Sequence, residues 1–93
     1  MQNDYIVQNL LGLHVRPAKK IVEAAGRYKE CSIFLEKSGK RVSAKSLVNV
    51  LTIGAKHGDT VTLITEGEQE EAAQEEIGRI LAEYSEAPAR KEG

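Results

Sequence analysis

The chain has 93 residues, 41% of them apolar and 29% charged, with a net charge of −1, a balance that suits one compact domain. Aromatic residues make up 4% and tryptophan is absent, so the core is aliphatic and the stacking platforms of a single-stranded nucleic-acid binder are missing. Cys31 is the single cysteine, which excludes an internal disulfide and a thiolate metal cluster, and no apolar run has the length of a membrane span.

In chain order, residues 4–9 (D-Y-I-V-Q-N) read as a strand, with Tyr5 and Val7 on one face by the period-two rule. L-L-G-L breaks the pattern, and Gly12 supplies a turn. From Val15 to about Tyr28, the apolar residues Val15, Ala18, Ile21, Val22 and Ala25 recur at three- and four-residue steps, one face of a helix. Residues 31–43 read as a hairpin turning at Ser38-Gly39. Ser46 as N-cap and Gly54 as stop bracket about two turns of helix. T-V-T-L-I-T is a β-branched strand, and E-G-E-Q-E-E opens a last helix with Ala73, Ile77, Ile80, Leu81 and Tyr84 as its stripe. The acids at that helix start suit its dipole and need no metal.

Four short strands and three helices in this order imply an α+β fold: an open-faced two-layer sandwich, with an antiparallel sheet covered by helices on one face. A single domain over residues 1–85 is expected, followed by a disordered tail over 86–93, where no periodicity survives. Charge is divided unevenly. Residues 1–65 hold ten Lys/Arg against five Asp/Glu, and residues 66–93 three against nine. The basic segment fits an anionic group or an acidic protein partner better than nucleic acid.

G-L-H-V-R-P-A, residues 12–18, concentrates chemistry. Pro17 suits a first helical turn because it has no N–H to leave unpaired there, which puts His14 at the helix N-terminal edge. First-turn N–H groups and the helix dipole make an anion site, and the planar guanidinium of Arg16 adds a cation matched to phosphate oxygens. Imidazole is a good nucleophile near neutral pH, so His14 beside such a site suits a phosphohistidine. His57, in the turn K-H-G-D, lacks a comparable setting and reads as solvated, and a zinc site joining it to His14 lacks ligands and spacing.

These motifs occur together with a second one, and the chain resembles the HPr family, the histidine-containing phosphocarriers of the bacterial phosphoenolpyruvate-dependent sugar phosphotransferase system. G-L-H-V-R-P-A is similar to that family's active-site signature, and S-A-K-S-L-V-N-V-L-T-I-G to its second signature, around a regulatory serine. G-D-T-V-T-L-I-T-E-G-E is similar to its last strand and turn, and the resemblance spans about residues 3 to 84. It implies the same open-faced sandwich, and a carrier that is not an independent catalyst. His14 would be phosphorylated on Nδ1, Arg16 would be its charge partner, and Pro17 would set how the chain enters the helix. The donor would be enzyme I and the acceptors enzyme IIA domains, with no cofactor. An HPr serine kinase/phosphorylase acting on Ser46 is implied for some members, as is an alternative role as a regulatory paralogue on the nitrogen-related branch. Val15 stands where Ala or Thr is commoner, and one extra residue falls around Lys29–Ser32.

Leu47, Val48 and Leu51 make the short helix apolar nearly all round, more than two turns can bury, which marks a docking surface, while Val50 and Ile53 are expected in the core. A cytoplasmic monomer with no membrane insertion is the expected state.

Overall fold

The computed structural model describes residues 1–83; Tyr84 and the tail expected over 86–93 lie outside them. The elements are β1 (Gln2–Ile6), α1 (Val15–Arg27), β2 (Cys31–Lys37), β3 (Lys40–Ser43), α2 (Leu47–Thr52), β4 (Thr60–Gly67) and α3 (Glu70–Glu83). The strands form one antiparallel sheet in the order β1-β4-β2-β3, with Tyr5 opposite Val61, Ile33 opposite Thr65 and Leu35 opposite Val42. Helices cover one face, giving the open-faced sandwich expected from the sequence.

The period-two rule explains which strand residues face the helices. Ile33 and Leu35 of β2, with Val61, Leu63 and Thr65 of β4, are fully buried against Ile21 of α1, Val50 of α2 and Ile77 of α3. Each such aliphatic side chain contributes about 1.5–3 kcal/mol by leaving water, so the core needs no aromatic residue. On the uncovered face, Arg41 lies over the Phe34 ring at 5.9 Å and pairs with Glu36 at 3.2 Å. The β2–β3 turn has φ of 53° at Ser38 and 83° at Gly39. Two successive positive φ values match the right-handed twist of a two-residue hairpin, which is why Ser-Gly closes it.

Three sequence expectations change. β1 ends at Ile6, not residue 9: Val7 is buried beyond the strand, and Asn9 turns inward at 2% exposure to hold a turn. Val15, assigned to the apolar stripe of α1, is 52% exposed at the first position of the helix. The stripe of α3 includes Gln74, which is buried beside Ala73 and Ile77. Its Oε1 accepts from Tyr5 Oη at 3.0 Å and from Asn3 Nδ2 at 3.2 Å, and its Nε2 donates to the Leu63 carbonyl at 2.7 Å. This satisfied amide ties β1 and β4 to α3, and Gly78 one turn on leaves room for the Tyr5 ring.

Candidate functional site

The site starts from a glycine. Gly12 has φ of 76°, and a Cβ there would meet the Ala55 carbonyl oxygen at 2.8 Å, so only glycine lets the loop after α2 close onto the segment before α1. Leu13 N–H donates to that Ala55 carbonyl at 2.9 Å, and His14 N–H to the Gly12 carbonyl at 3.1 Å. These bonds fix His14 as the N-cap of α1, in extended conformation (φ −99°, ψ −164°), with its carbonyl accepting the first helical bond from Ala18 at 3.0 Å.

The His14 side chain makes no capping hydrogen bond to the helix. The residue is half-buried, and its Nε2 is closed off from solvent. Arg16 is exposed at the second helical position and Pro17 is buried at the third. Pro17 contributes no N–H to the first turn of α1, and that turn contains no acidic residue to oppose an anion. Lys19 and Lys20 are exposed on the next turn. His14, Arg16 and Pro17 are thus brought together at one helix end.

The second motif forms α2, which packs against α1 and β3. Ser46 is its N-cap, φ −119°, with Oγ accepting from Asn49 N–H at 3.4 Å, as its sequence position predicts. Val50 and Ile53 are in the core. The docking trio divides: Val48 is exposed at 68%, whereas Leu47 and Leu51 are half-buried and rest on the core. A two-turn helix lying across two neighbours shields its flanks as well as its inner side, so the free apolar surface is narrower than its composition suggests.

His57 is exposed, in the loop that abuts Gly12, and among the described residues no group of three or more His, Cys, Asp or Glu is placed to hold a metal ion. Sequence reasoning missed Asn9. The Asn-x-x-Gly spacing of residues 9–12 is a turn signature that could have found it.

The fold and the site define a class: a small open-faced α+β sandwich with a histidine at the N-cap position of its first helix. The family model for the PTS HPr component phosphorylation site matches residues 1–83, so the chain belongs to the HPr family of phosphocarriers. Among its relatives are the HPr-like protein Crh of Halalkalibacterium halodurans, 44% identical over 71% of this chain and 77% of the relative, and the phosphocarrier protein HPr of Cupriavidus necator, 34% identical over 88% and 91%. The solved phosphocarrier HPr of Bacillus anthracis superposes with a TM-score of 0.82 at 34% identity, covering 87% of this chain and 95% of the other. Two other solved relatives are described as dimers, an intertwined swapped dimer of Bacillus subtilis Crh (TM-score 0.70) and an HPr dimer from Thermoanaerobacter tengcongensis (TM-score 0.65), each 37% identical. The expectation of a monomer does not match them.

Proposed function

We propose that the chain carries phosphoryl groups on His14, accepting them from phospho-enzyme I and passing them to enzyme IIA domains in phosphoenolpyruvate-dependent sugar uptake, in the cytoplasm and as a carrier rather than an independent catalyst. The observation that carries this reading is the placement of His14: an N-cap whose imidazole is not spent on capping, at a helix end with Arg16 in the first turn. The burial of Nε2 supports what the family resemblance implies, that the attacking nitrogen is Nδ1. Its lone pair forms the new N–P bond while the bond to the donor breaks, the electron pair leaving with the donor, and the ring proton stays on Nε2. The first-turn N–H groups and the Arg16 guanidinium offset charge on the phosphoryl oxygens in flight. Residues 1–85 act as one domain.

Incubation with phosphoenolpyruvate and purified enzyme I should add one acid-labile phosphoryl group per chain by intact-mass spectrometry, and His14→Ala should add none. Equal labelling of the variant overturns the assignment.

A second reading is favoured by the likeness to Crh, whose solution structure is described as the catabolite-repression HPr of Bacillus subtilis. In it Ser46, phosphorylated by an HPr serine kinase/phosphorylase, serves gene regulation. The two dimeric relatives add self-association to the question, which sedimentation over a concentration series measures.

A further inference from the structure

Beyond β1 the alternation continues for three residues: Val7 and Asn9 are buried and Gln8 between them is exposed. An inward position after a buried valine calls for an apolar side chain, yet residue 9 carries an amide. Burying an amide costs free energy unless it is bonded. The partner that offsets this cost lies two residues before His14. Asn9 Nδ2 donates to the Gly12 carbonyl at 3.0 Å, and Gly12 N–H donates back to the Asn9 carbonyl at 2.9 Å.

The peptide unit joining Gly12 to Leu13 is thereby held at both ends. Its oxygen accepts from Asn9 Nδ2 and, at 3.1 Å, from His14 N–H, while its own N–H donates to the Ala55 carbonyl at 2.9 Å. The bond from His14 closes a three-residue ring, and a hydrogen bond in so small a ring is bent and directs its carbonyl weakly. The Ala55 bond fixes the opposite edge of the plane. Of these three partners only Asn9 brings a side chain, and it sets which way the oxygen points. The segment that carries Asn9 is itself anchored: Val7 N–H donates to the Asp59 carbonyl and Gly58 N–H to the Val7 carbonyl, each at 2.9 Å. A peptide plane is rigid, so turning it changes the direction in which the chain enters His14. The imidazole moves with that direction, and a misplacement of ~1 Å at a reacting group can cost about a hundredfold in rate.

We propose that Asn9 is a positioning residue for phosphoryl transfer: its buried amide holds the Gly12–Leu13 peptide in the orientation that sets the His14 ring for attack. This inference rests on the reading of His14 as the phosphoryl acceptor. The test is Asn9→Ala, followed with phospho-enzyme I and, separately, with phosphoramidate, a small donor that needs no protein surface. The expected result is a rate about tenfold lower with both donors, a KM for enzyme I within twofold of wild type, and moved 15N and 13C shifts of the His14 imidazole with those of β3 in place. Ile77→Val, a loss of core volume in α3, controls for stability and should melt lower yet transfer at the wild-type rate. Asn9→Ser, a milder change that also shortens the side chain, gives the same readings should Asn9→Ala not fold. In the wild type the Asn9 side-chain amide protons should exchange slowly with solvent. An unchanged phosphoramidate rate overturns the positioning role, and so does a raised KM with kcat unchanged. An equal fall in Ile77→Val, or fast exchange of the Asn9 amide protons, overturns it as well. If neither donor labels His14 in the wild type, the failure is that of the carrier reading, and the two cases are distinguishable.

Discussion

Ser46 caps α2, the proposed regulatory reading adds a second role, and its substitutions separate the two. The hydroxyl caps α2 through one bond to Asn49 N–H, at 3.4 Å, the long end of the range for such a bond. Its loss in Ser46→Ala falls toward the lower part of the usual capping cost, about 0.5–1 kcal/mol. Unfolding entropy of about 2.1 cal/mol/K per residue, over the 83 described residues, converts that to a drop of ~3–6 °C in melting temperature. Ser46→Asp keeps an acceptor at the cap and adds charge at a helix start that has no acidic residue of its own, a gain of about 0.3–1 kcal/mol and ~2–6 °C. Binding should respond in the opposite sense. Next to exposed Val48, a unit negative charge ~10 Å from an acidic partner group costs about 1.7 kcal/mol at an effective dielectric of ~20, which raises KM for enzyme I about fifteen- to twentyfold. Calorimetry gives the first pair of values and steady-state phosphotransfer the third. A Ser46→Asp variant that melts higher than wild type yet transfers at the wild-type rate would refute the regulatory part of the reasoning. Equal melting of Ser46→Ala and wild type would refute the cap.

Arg16→Ala should leave melting unchanged and slow transfer in both directions by roughly ten- to a hundredfold, with Arg16→Lys recovering part of the loss, as rapid-quench kinetics can check. Val50→Asp should unfold the domain by burying a charge, whereas Val48→Asp should melt within about 0.5 kcal/mol of wild type and raise KM for enzyme I; circular dichroism and transfer assays together test the contrast. The carboxylate of Asp59 is held below its ordinary value of 3.8, first by the hydrogen bond it accepts from Lys56 N–H at 2.8 Å and also by Lys37 at 3.6 Å. The unfolded chain therefore binds the proton more readily. The contribution of Asp59 to stability is complete above about pH 3.8 and is lost as pH falls through the lower folded value, so Asp59→Asn should flatten the acid limb of a melting-temperature profile.

What could be read before the structure was whatever local stereochemistry dictates. Ser38-Gly39 had to be a tight turn, because two positive φ values in succession admit few other residues. Pro17 had to lie in a first helical turn, and this placed His14 at the helix end. What could not be read depended on what lies next to a residue. Asn9 continues the alternation of β1 and looks like a strand residue; it becomes a turn anchor because its amide is buried where the Gly12 carbonyl needs a donor. Gln74 looks like a solvated position on α3 until β1 brings Tyr5 and Asn3 to its amide. The enclosure of His14 Nε2 is of the same kind, since it depends on what packs against the ring and no spacing encodes it. Val15 shows the converse error. It keeps helical period with Ala18 and Ile21, yet periodicity tells only which way a side chain points and not whether another layer exists there to receive it. At the first residue of α1 the Val15 side chain stays 52% exposed, so helical period is kept there without burial. Exposure is thus set by the tertiary surroundings of a position and not by its period alone.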